Sequence, residues 1–263
     1  SRPQMQYTCT LVTSFIYTLR AALVCIALSC SWVTAQPVTV GMGNFEPYFI
    51  EKGQTGIFTD LVSAIFNEMP GLEPKYHFGY SNKRLWHEFS KKNIDAVANL
   101  FDSVELNACR SDPVFRFRDI IVSKRSDQLL INSLADLEGK HIITFQGASD
   151  FFGETFKKYT QKGTYHEVPR PSMQAKILIS NKADVSVGDM FIFLLSLKDV
   201  TPLTVTAQDF TFHDLLPAIY SRMGFQDEKI CHQFNVALKT IKDNGIYEKI
   251  YQKYLVQLSN PHS

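Results

Sequence analysis

One order of segments runs twice through this chain and limits its fold more than any other feature. The helical pattern KRLWHEFSKK, Lys83–Lys92, leads into IDAVANLF, Ile94–Phe101. Ninety residues on, at roughly the spacing of a second lobe, MQAKILISNK, Met173–Lys182, leads into ADVSV, Ala183–Val187. IDAVANLF is apolar almost throughout, which is the pattern of a parallel-sheet strand covered on both faces. Helices alternating with buried strands predict an α/β class, and the repeat predicts two similar lobes.

The rest of the chain fits that order. QPVTVGM, Gln36–Met42, alternates and begins the first strand. TDLVSAIFNEM is a helix that Thr59 can cap, with Leu61, Ile65 and Met69 on one face and Pro70–Gly71 as its stop. Asp119 opens a further strand, DIIVS. The second half restarts with a turn and strand, SLADLEGKHIITF, then the loop QGASD, Gln146–Asp150, and the helix FFGETFKKYTQKG. DMFIFLLSL is a very apolar helix, and LLPAIYS a strand. Two amphipathic helices close the chain; Ile230, Phe234, Leu238 and Ile241 share a face of the first. In lobes of this kind ligands sit beyond the carboxyl ends of the strands, at helix N-termini.

Residues 1–35 stand apart. Arg2 and Arg20 are their only charges, the apolar run AALVCIAL follows Arg20, and Val33 and Ala35 place small residues before a cleavage point. That is the layout of a secretory signal peptide. An uncleaved anchor is the alternative, but Arg20 interrupts it and the run is far short of the ~20 residues a bilayer needs. Of the 5 cysteines, Cys109 and Cys231 lie beyond the signal segment. In an oxidising compartment they can pair if their Cα atoms lie within about 7 Å, or they are two buried thiols; the residues leave both open.

Formal net charge is +1 with no long run of one sign, so nothing points to nucleic acid. The 7 histidines are scattered, and neither a phosphate loop nor a nucleophile elbow occurs. The expectation is a binding protein without metal or cofactor.

Several segments, in order, resemble the periplasmic solute-binding proteins of family 3, the polar-amino-acid receptors of ABC transporters. They are VTVGMGNFEPYF, GIFTDLVSAIF, FSKKNIDAVAN, SDPVF, SLADLEGKHIITFQGAS, ILISNKADVSVGD and FNVALKTIKDNGIYEKIYQKYL. The resemblance implies a two-lobed flytrap, with lobe 1 at residues 36–121 and 217–258, lobe 2 at 122–216, crossings near Val122 and Leu216, and a tail at 259–263. It implies a monomer in the periplasm that closes by a hinge on a small polar solute and presents it to an inner-membrane permease.

The same resemblance assigns candidate residues. Phe45 matches the aromatic that covers the ligand, while Tyr48 and Trp86 read as packing residues. Gly147, Ala148 and Ser149 match an anion hook at a helix N-terminus. Asp189 matches the acid that takes the ligand's ammonium group, with capping of the next helix as its alternative role. At the carboxylate clamp this chain departs from the family. Asn99 and Asp102 stand where small hydroxyl residues belong, Leu106 or Asn107 stands where the arginine belongs, and Arg110 comes late. Two acids, Asp102 and Asp189, would then face a ligand whose positive end dominates. The competing expectation is that Arg110 or Arg170 supplies a relocated anion grip. A sensor of the same fold without a transporter is one rival. The other is an enzyme like cyclohexadienyl dehydratase, which would need Asp102 or Asp189 as a general acid with its pKa raised by burial.

Overall fold

The computed structural model describes residues 35–200 and 204–260. The expected signal segment lies outside the described residues, Ala35 excepted. Along the chain come β1 (Gln36–Gly41), α1 (Ile57–Asn67), β2 (Leu72–His77), α2 (Asn82–Ser90), β3 (Ala96–Phe101), β4 (Cys109–Arg110) and β5 (Phe115–Phe117). Then follow β6 (Asp119–Lys124), β7 (His141–Phe145), α3 (Ala148–Thr160), β8 (Thr164–Val168), α4 (Gln174–Ile179), β9 (Val185–Asp189), α5 (Met190–Ser196) and β10 (Phe210–His213). The chain closes with β11 (Ile219–Phe225), α6 (Glu228–Asp243) and α7 (Ile246–Ser259).

These strands form two sheets. The first has the order β2-β1-β3-β11-β4, with β5 also on β11; the second has the order β10-β6-β9-β7-β8. Pairing is parallel between β1 and β3 and between β7 and both β8 and β9, as α/β crossovers require. It is antiparallel where β6 and β11 join, so each sheet is part parallel and part antiparallel. Two sheets flanked by helices make a two-lobed α/β protein. The chain first changes sheets between Phe117 and Asp119, ahead of the expected Val122, because β6 pairs with β9 from Asp119 onward. It returns between His213 and Ile219.

The faces expected from periodicity are the buried ones. Leu61, Ile65 and Met69 of the first helical segment and Ile230, Phe234, Leu238 and Ile241 of α6 all lie in the core. Thr59 does not cap α1. The helix begins at Ile57, and its first N–H groups donate to the carbonyls of Pro47 and Tyr48 at 3.0 and 3.2 Å. That contact needs Gly56, since a Cβ there would stand 2.4 Å from the Tyr48 carbonyl oxygen. The loop carrying Tyr48 is thereby pinned to the helix end.

Cys109 and Cys231 form a disulfide, with Cα atoms 6.1 Å apart and a sequence separation of 122. It ties β4 to α6. Replacing both with serine should remove about 2–4 kcal/mol, a fall in Tm of about 5–15 °C under oxidising conditions. A melting curve with and without reductant checks this: wild type in reductant should match the double variant.

Candidate functional site

A cavity of about 480 Å³ lies between the sheets. Five phenylalanines line it: Phe45, Phe101, Phe117, Phe145 and Phe151. The polar lining is Asn82, Asn99, Gln146 and Gln174 with two acids, Asp119 and Asp189. No lysine, arginine or histidine lines it among the described residues.

The two acids are brought together by strand register. Asp119, the first residue of β6, is the cross-strand partner of Asp189, the last of β9. Like charges set opposite each other on neighbouring strands repel. Burial pushes Asp119 up to about 7, and Asp189 adds to the rise. Burial pushes Asp189 up to about 6; the Tyr48 hydroxyl and the backbone N–H groups of Ile192 and Phe191 restrain it. The Tyr48 hydroxyl donates to Asp189 Oδ2 at 2.7 Å, and the Ile192 N–H donates to Oδ1 at 2.9 Å. Asp189 thus has its capping role as well as a place on the cavity. Burial, then Asp189, drives the Tyr48 pKa well above its usual value, so it remains a donor. Tyr48 is therefore more than packing. Asp119 accepts no hydrogen bond through its carboxyl among the described residues, and its demand for a donor is open toward the cavity.

Asn99 sits on a β-bulge. Between Val97 and Leu100, opposite Gly224 and Arg222, β3 carries one residue more than β11. Asn99 absorbs the kink at φ 57, a left-handed conformation that asparagine tolerates. Its amide donates to Asn82 Oδ1 at 2.8 Å and accepts from Ser221 Oγ at 3.2 Å, while Trp86 Nε1 donates to its carbonyl at 3.3 Å. The polar floor of the cavity is thus held in one orientation. Phe45 stacks edge-on against Phe49 and Tyr48, with centroids 5.1 and 5.6 Å away.

Other sequence candidates lie elsewhere. Asp102 is exposed beyond the end of β3 and accepts from Arg222 Nε at 2.7 Å; that bond holds its carboxyl below the ordinary range. It is not the second acid of the cavity, because β11 places Arg222 beside it. Arg110 donates to the carbonyls of Phe101, at 3.0 Å, and Val104. It braces its own loop rather than lining the cavity. The anion hook is filled from within the chain. The N–H groups of Gly147 and Ser149 donate to the Glu167 carboxylate at 2.7 and 3.2 Å, and the Tyr165 hydroxyl donates to it at 2.8 Å. Those bonds, Gly147 first, hold Glu167 below its usual range. Ala148 is buried beneath them. Arg170 lines an adjoining cavity of about 520 Å³.

Asp119, Asn82, Gln174 and the remaining phenylalanines were not expected in the site. Asp119 did carry a signal: a single acid heading an otherwise apolar strand. Gln174 is buried and donates to the Val187 carbonyl at 3.3 Å, and nothing local marks it. Among the described residues no group of His, Cys, Asp and Glu side chains could hold a metal ion, and no helix is long and apolar enough to cross a membrane.

Two α/β lobes with a lined cavity between them define a ligand-binding protein of the flytrap class. The chain belongs to the bacterial extracellular solute-binding proteins, family 3, whose model matches residues 38–257. No curated protein matches it. Among solved structures it is similar to an ancestral cationic amino acid solute binding protein, at 18% identity and a TM-score of 0.66 over 83% of this chain and 95% of that one. It is also similar to a polar amino acid ABC uptake transporter substrate binding protein from Streptococcus thermophilus, at 18% identity and 0.61 over 83% and 85%. A histidine kinase sensor domain with similarity to periplasmic binding proteins matches at 17% identity and 0.60 over 84% and 96%. At these identities the likeness is one of fold.

Proposed function

We propose that this protein is an extracytoplasmic receptor for a small organic cation that lacks a carboxylate beside its charged nitrogen. The observation that carries this is the cavity lining: two cross-strand carboxylates, Asp119 and Asp189, with no basic residue among the described lining. A cation between them relieves their repulsion and satisfies Asp119 through charge-assisted hydrogen bonds. The aromatic walls, Phe45 among them, suit an alkylammonium face-on. The carboxylate grip of an amino-acid receptor is doubly unavailable, since Arg110 braces its loop and Glu167 occupies the Gly147–Ser149 hook. The disulfide and the signal-like segment support export to the periplasm, and family membership supports a monomer that hands its ligand to an ABC permease.

The test is a thermal-shift screen of protein stripped of carried-over ligand, across amines, quaternary ammonium compounds, amino acids and carboxylates. A cation at a hundred times its Kd adds about 2.7 kcal/mol, or about 5–10 °C. Shifts confined to carboxylates or to α-amino acids would refute the proposal. The second reading, a dehydratase-like enzyme, draws its support from Asp119, whose pKa near 7 suits a general acid. Consumption of prephenate or arogenate, lost in Asp119→Asn, would favour it. A sensor role is supported by the sensor-domain likeness alone.

A further inference from the structure

The adjoining cavity opens a finer description of the ligand. It shares Phe45, Pro169, Pro171 and Ile192 with the inner cavity, so the two spaces adjoin along these side chains, the wall that a passage between them would follow. Their charges are opposed. The inner end has Asp119 and Asp189 and no base among its described lining. The outer end has Arg170 and Lys198, with Glu46 as the one acid among its described lining. Both basic side chains are exposed, and among the described residues neither is held in an ion pair. The backbone at Arg170 is preset: it lies between Pro169 and Pro171, and the following proline confines it to the extended region, where it sits at φ −119 and ψ 102. Between the two charged ends the shared wall is apolar or proline.

We propose that the ligand is an extended zwitterion. Its cationic nitrogen lies at Asp119 and Asp189, its apolar chain runs past Phe45, Pro169, Pro171 and Ile192, and its anionic group meets Arg170 and Lys198. This rests on the cation reading of the inner cavity and adds the far end. An α-amino acid does not fit the pattern, because its two charges are one carbon apart and the passage separates its own charges along a wall of several side chains.

The experiment is calorimetric titration of the protein with hexylamine, ω-aminohexanoate and the matching α,ω-diamine, followed by ω-amino acids of increasing length. Wild type should bind the best ω-amino acid about tenfold tighter than the amine of the same length, and the diamine no better than the amine. The ratio should fall toward one in Arg170→Ala with Lys198→Ala, and also in about 0.5 M salt, because exposed charges are screened. If amines bind as well as ω-amino acids at every length while Asp119→Asn weakens both, the outer site is refuted and the cation reading stands. If Asp119→Asn weakens neither, the cation reading fails and this proposal falls with it.

Discussion

Asp119→Asn should weaken binding of an organic cation by about 30- to 1,000-fold. Truncating one member of a desolvated charge pair costs about 2–4 kcal/mol, and each 1.4 kcal/mol is tenfold. The substitution is nearly isosteric, so packing around β6 is preserved while the charge is lost. It should also raise the Tm of the ligand-free protein, by clearly more at pH 8 than at pH 5. The reason is that wild type at pH 8 holds two ionised, opposed carboxylates in a buried place, whose pKa values of about 7 and about 6 record the strain. Weaker binding together with a more stable fold is the signature of a site built against stability, and a misfolded variant cannot produce it. Titration calorimetry and melting curves at the two pH values read both effects. A fall in Tm at pH 8 with unchanged affinity would show that Asp119 serves the fold instead.

The affinity for a quaternary ammonium ligand, which does not itself titrate, should rise about 1,000-fold from pH 5 to pH 8, about 100-fold through Asp119 and about tenfold through Asp189, and level off above. Both acids have folded pKa values above their unfolded ones. Between about pH 4 and pH 7 the folded protein therefore holds protons that the unfolded chain has released, and the stability of the free protein falls as pH rises through that window. A cation prefers the ionised pair. Below pH 7 it must first displace protons, at about tenfold in affinity per pH unit for each protonated acid. Binding at pH 6 should accordingly release protons, seen as a dependence of the observed enthalpy on buffer ionisation. An affinity flat across this range would mean that the acid pair does not contact the cation.

Much of the architecture is legible in the amino-acid sequence. IDAVANLF and ADVSV became β3 and β9, and the spacing of Ile230, Phe234, Leu238 and Ile241 marked the buried face of α6. These features depend on each residue's own preference for water or core and on a repeat distance set by the local backbone, so a one-dimensional pattern carries them. The candidate site was legible in part. Phe45, Asn99 and Asp189 line the cavity, whereas Asp102, Arg110 and the Gly147–Ser149 turn are engaged elsewhere within the chain.

What the residues alone determined about this protein is therefore its class and its buried faces. The tertiary structure decided which polar groups are partners. Strand register set Asp119 against Asp189; β11 brought Arg222 to Asp102; β8 delivered Glu167 to the hook; and Cys109 met Cys231 across a sequence separation of 122. A side-chain hydrogen bond or ion pair contributes only about 1 kcal/mol net, and many partners compete at similar energy. No local pattern can choose among them, because the choice is made by the packing of the apolar core that carries them into place.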